Sequence, residues 1–200
     1  MAENWTKILA VVNKTFKGGE RGGGYAQDRA MRIAKSVEKL AAEVGGARVD
    51  LAKVAALYTS AAPNMGDAAE LAADQLKELL PAADLELLAK ILREHRQRDT
   101  QLLEAKLLSD AVTLEEFGLV GLWNTWRQFH AVDKTLEQFL KLCKAQHDYA
   151  YWESRLRDGF HFETTRRTAK DRLGYMRGIY ERLQQEQLGE DVGGNPMGRF

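Results

Sequence analysis

Apolar residues recur along most of this chain with the period of a helix. Proline, which breaks that period, occurs only three times in 200 residues (Pro63, Pro81 and Pro196). The clearest stretch runs from Asp28 to Val44, where Met31, Ala34, Val37, Leu40, Ala41 and Val44 share one face. Gly45-Gly46 ends it. Leu51–Tyr58 is a short helix so rich in Ala, Val and Leu that it belongs inside a bundle. After a loop at 61–66, Asp67 opens a helix that Pro81 ends, and Asp84 caps another that runs to His95. Helices over 102–110, 114–130, 133–155 and 164–188 complete the reading. No run alternates with the two-residue period of a strand. The expected fold is therefore all-α, a single-domain helical bundle of roughly eight helices over 25–188. A flexible glycine-rich segment is expected at 1–24 and a flexible tail at 189–200.

Apolar side chains make up 44% of the chain, enough for a sizeable core and too many for a disordered protein. Lys and Arg number 29, as do Asp and Glu, and the net charge of zero argues against duplex DNA or an anionic membrane as partner. The basic residues of 164–188 are interleaved with acids and read as a solvated face. Cys143 is the single cysteine, so an internal disulfide and a cysteine-based zinc module are both excluded. A reducing compartment, the cytoplasm, is expected. The start of the chain lacks the pattern of a signal peptide, and no apolar run approaches the ~18 residues that cross a bilayer.

Most chemical signals are weak. KGGERGGGY lacks the spacing of a phosphate loop and follows no strand, so it reads as a flexible loop. His161 and Glu163 are two apart and do not share a helix face. Cys143 and His147 are four apart and would be helical neighbours. A nucleophile there would lack backbone amides for an oxyanion, so the pair reads as a buried cysteine beside a surface histidine. Asp110 ends an apolar helix; taken alone, it reads as a solvent-facing cap of the helix that follows.

Four segments, in order, carry a resemblance. LLEAKLLSDAVTLEEFG is similar to the TLEAK-I-QDADRLDALG segment of the HD-domain metal-dependent phosphohydrolases. Upstream, LAKVAALYTS stands where that family has an apolar helix ending in its His-Asp pair, and RAMRIAKSVEKLA resembles its first HxxR helix. Downstream, FHFETTRRTAKDRLGYMRGIYERL resembles its terminal helix, and the whole likeness spans Tyr25 to Glu186. The resemblance implies the HD fold. It also implies a divalent metal held by a histidine on the first helix, the His-Asp pair and a distant aspartate.

The departures bear on function. At those positions the chain has Arg29, Thr59 and Ser60, and only Asp110 matches. His95 matches a further family histidine, and another would fall near Asn64. Threonine and serine hydroxyls cannot replace an imidazole and a carboxylate, and Arg29 adds a fixed positive charge. Arg29 is expected to pair with Asp110 in the metal's place. The expected protein is thus a catalytically degenerate HD-domain protein without cofactor. It would bind a phosphate-containing or other small ligand, or a protein partner, in the old pocket. Arg29, Tyr58, Thr59, Ser60, His95 and Asp110 are the ligand-binding candidates, with Asp110 a vestigial metal position. The alternative is an active phosphohydrolase with a rebuilt divalent-metal site, or with metal-free acid–base chemistry by His95 and Asp110. A third reading is a structural protein whose pocket is closed by packing, with Trp123, Trp126 and Trp152 as core or interface. The sequence does not set the oligomeric state.

Overall fold

The computed structural model describes residues 2–17, 23–62 and 65–192. Among them the chain is all-α, with ten helices and no strand. They are α1 (Ala2–Lys17), α2 (Gly23–Val44), α3 (Val49–Tyr58), α4 (Met65–Leu76), α5 (Ala82–Glu94), α6 (Leu103–Leu114), α7 (Gly118–Ala131), α8 (Leu136–Asp148), α9 (Tyr151–Asp158) and α10 (Glu163–Leu188). None is long and apolar enough to cross a membrane. The contacts divide the chain into two compact units, Met1–Val112 and Thr113–Phe200, and the boundary falls inside α6. The span 25–188, read from the sequence as one domain, crosses that boundary.

In the first unit α3 is the central element. Its Leu51, Ala52 and every residue from Val54 to Tyr58 are buried, and α1, α2, α4 and α5 pack around it. Its one lysine, Lys53, reaches out to pair with Glu38 at 2.8 Å. From α2 come Ala30, Ile33, Ala34, Val37, Leu40 and Ala41, the expected stripe turned slightly towards Ala30 and Ile33. Gly45 and Gly46 end α2 in the left-handed region, with φ of 73° and 75°. The start of α3 is held from afar: the backbone N–H of Arg48 donates to Glu104 Oε1 at 2.7 Å.

Residues 2–17 are not a flexible segment. Ile8, Val12 and Phe16 recur every fourth residue and are all buried, so α1 is an amphipathic helix of the core. The loop reading of residues 18–22, the position of Asn64, and the tail from 193 onward lie outside the described residues. Of the expected tail, Gly189 caps α10 with φ 70° and Asp191 accepts from Arg182 at 3.0 Å. Asp84 is not the cap of α5. Pro81 stands at that position, and Asp84 lies in the first turn, bound to Arg48.

The second unit gathers around Phe117. Its ring meets Trp152 at 5.1 Å edge-on and Phe160 at 5.5 Å, with Leu114, Leu173 and Met176 packed in the same cluster. Trp126 edges onto Phe139, whereas Trp123 is 60% exposed. The expected helix over 133–155 is two helices. Thr135 starts α8 with a capping box to Gln138, and the break before α9 falls at Ala150, whose φ is 50°. Alanine in that region carries a strain that glycine does not. Gly118 has the opposite need. Its φ is 81°, and a Cβ there would come within 3.0 Å of Arg172 Cβ.

These two positions give opposite signs on substitution. Ala150→Gly is expected to stabilise the fold by about 0.5–1 kcal/mol, and Gly118→Ala to destabilise it by about 1–3 kcal/mol. Urea unfolding of the two variants beside the parent chain checks both.

Candidate functional site

All six candidate residues lie in the first unit, and α2, α3 and the turn after α3 carry four of them. Tyr58 is the last residue of α3, and Thr59 closes the helix, its Oγ1 donating to Ala56 O at 2.7 Å. The chain then emerges at Ser60, which is half-buried. Arg29 stands on α2 beside the fully buried Ala30, and its Nη1 donates to Ser60 Oγ at 3.0 Å. The α2–α3 pairing thus joins two side chains that are 31 residues apart.

Tyr58 itself and the remaining two candidates turn inward. Tyr58 is completely buried, and its hydroxyl donates to Gln75 Oε1 at 3.0 Å. Gln75 in turn donates from Nε2 to Thr15 Oγ1 at 2.8 Å, so this relay ties α3 to α4 and α1. Burial pushes the Tyr58 phenol well above its ordinary range, and the hydroxyl serves the fold rather than a ligand. Asp110 is fully buried, not a solvent-facing cap. A carboxylate so buried needs a partner, and Asp110 has one. Arg29, expected to pair with Asp110, donates from one of its five N–H groups to Ser60.

His95 closes α5 and is 1% exposed. Its Nδ1 lies 2.9 Å from Leu92 O, a contact that requires the proton on Nδ1. Nε2 is then a bare lone pair, buried and without a hydrogen-bond partner among the described residues. Burial lowers its pKa to about 4, helped by the charge of Arg96 and opposed by the bond to Leu92. His95 is therefore neutral at pH 7 and holds no proton to give from Nε2.

The resemblance implies a divalent metal, and the donors do not fit one. Thr59 has given its proton to a backbone carbonyl, Ser60 accepts from a guanidinium, and Arg29 is itself a cation. Of the implied set only the carboxylate of Asp110 suits a metal. Among the described residues no three of His, Cys, Asp and Glu stand together as a metal-holding group. In the second unit, burial pushes the Cys143 thiol up to about 11, so it offers almost no thiolate at neutral pH and His147 has no nucleophile to activate.

Two residues that the sequence reading passed over do structural work here. Gln75 is the only uncharged polar side chain in MGDAAELAADQL, a signal that its amide is wanted in an apolar interface. Glu104 interrupts the apolar run LLEAKLL and is buried, its carboxylate turned to the start of α3. No family model, curated protein or solved structure matches the chain. The HD likeness rests on the four segments quoted above.

The burial of His95 makes a pH prediction. Its pKa falls from 6.5 unfolded to about 4 folded, so the unfolded state binds the extra proton between those values. The stability this group contributes is complete above pH 7 and is lost as pH falls through that window. The loss between pH 7 and pH 5 is about 2 kcal/mol. His95→Asn keeps a donor for Leu92 O and removes the titrating ring. Urea unfolding at the two pH values should show this part of the acid sensitivity missing in the variant.

Proposed function

We propose that the first unit binds a small phosphate-bearing ligand through Arg29 and Ser60, without metal and without catalysis, as a degenerate HD-domain protein. The observation that carries this reading is the Arg29–Ser60 hydrogen bond. A guanidinium has five N–H donors in a planar fork that suits phosphate oxygens. One of them goes to Ser60. Ser60 accepts that bond, which leaves, among the described residues, its own O–H to donate. The pair is therefore a cluster of donors around a positive charge, the complement of an acceptor-only anion. Asp110 and His95 fit this role less well, one being a carboxylate and the other a bare acceptor.

The acid–base alternative is disfavoured by His95. An imidazole with a pKa of about 4 supplies no acid at neutral pH, and its Nδ1 proton is engaged by Leu92. The rebuilt-metal alternative is disfavoured by the donor set around Arg29.

Calorimetric titration with inorganic phosphate, pyrophosphate and AMP, all in the presence of EDTA, tests the proposal. Saturable binding of at least one is expected. Arg29→Ala should weaken it about 10- to 100-fold, the range of a hydrogen-bonded charge, and Ser60→Ala should weaken it less. Absence of binding across the panel would overturn the reading, as would affinity that survives Arg29→Ala. Binding or phosphate release that appears only with added Mn or Mg would restore the phosphohydrolase.

A further inference from the structure

The second unit contains a cavity that the phosphate reading does not use. It measures about 120 Å³ and lies among α7, α8, α9 and α10. Leu122, Phe139, Cys143, Trp152, Met176 and Tyr180 form its wall. For comparison, an apolar cavity of roughly 150 Å³ lined by aliphatic and aromatic side chains takes up benzene. This one has the scale of a single ring.

Two features keep it open. Phe139 is braced from behind by Trp126 at 5.3 Å and Phe129 at 5.8 Å, both edge-on. Trp152 is braced likewise by Phe117 at 5.1 Å and Tyr151 at 5.0 Å. Neither ring is able to swing into the space without giving up two aromatic contacts.

The six wall residues named above carry no charge at neutral pH. Burial raises the pKa of the Cys143 thiol and, first among several causes, that of the Tyr180 phenol, so both are neutral at pH 7. Three ionisable side chains, His147, Arg177 and Glu181, also line the cavity. Arg177 is paired with Glu153, and His147 and Glu181 are exposed. Met176 and Cys143 add sulfur atoms, which make favourable contacts with aromatic ring edges.

We infer that this cavity is a binding site for a neutral, single-ring aromatic molecule of phenol size, with Phe139, Trp152 and Met176 around the ring. Tyr180, Thr125 and Gln146 provide the polar part of the lining for one small substituent. The site is separate from Arg29 and Ser60 and does not depend on the phosphate proposal.

Cys143 makes the test direct, because it is the chain's one cysteine and it lines the cavity. The full chain is alkylated with iodoacetamide at about pH 9, where some of the Cys143 thiol is ionised and phenol is still mostly neutral, in the presence of phenol, benzene or benzoate. Phenol and benzene should slow alkylation about tenfold when present at roughly ten times their dissociation constant, and benzoate should not. They should also raise the melting temperature, and the cavity-filling Cys143→Leu should abolish that rise. Should Cys143→Leu fail to fold, Leu122→Phe replaces it, with the alkylation readout kept. Unchanged alkylation in phenol and benzene, with the protein folded, would overturn the proposal. So would equal protection by benzoate, or a thermal shift that persists in the filled variant.

Discussion

Tyr58 has no route to solvent, and much of the first unit follows from that. Helix α3 is buried on every side over its last five residues, so its terminal phenol needs a partner inside the protein. Gln75 supplies it, and Thr15 satisfies Gln75, which fixes three helices by two hydrogen bonds. The chain beyond Tyr58 then turns polar at once. Thr59 folds its hydroxyl back onto the helix and Ser60 is delivered to the edge. The packing of α2 along α3 puts Arg29 opposite. The charged donor pair is thus a by-product of how an apolar helix is made to end.

The second unit solves a different problem. Fewer side chains are fully buried there, and large rings do much of the packing. Phe117 has one ring against it from α9 and another from the segment before α10. Arg172 lies partly within this packing. Its Nη1 donates to Leu114 O at 3.1 Å, and burial lowers its pKa while the charge of Glu115 opposes the change. Rings joined edge to edge resist small rearrangements, and they leave space where their outlines do not mesh.

The class of the fold was legible because helical period is a local property of sequence. The stripe of α2, the apolar interior of α3 and the Gly45-Gly46 stop could all be read directly. The break at Ala150 could not, because alanine gives no sign of a left-handed turn and the period of the surrounding residues continues across it. Helix α1 was hidden because its buried face, Ile8, Val12 and Phe16 among the described residues, is sparse among polar residues and glycines follow it. In the site, the HD-like alignment brought Arg29, Thr59 and Ser60 to attention together, and the structure joins Arg29 to Ser60. It gave no sign of the Arg29–Ser60 bond itself, since that depends on side-chain reach across packed helices. The burial of His95 was masked by the polar RQRDT run beside it.

The bond from the Arg48 N–H to Glu104 has a consequence in time. The first turn of α3 is completed by a carboxylate 56 residues further along the chain. A ribosome adding ~5–20 residues per second needs about 3–11 s to cover that distance. During that interval the most apolar helix of the unit has emerged without the group that anchors its start, and with its hydrophobic sides still unpaired. The contact is non-local and its loop must close before it contributes, so consolidation of this core waits for α6. Nascent chains halted between α5 and α6 are accordingly the species in which α3 is most open to chaperones and to self-association.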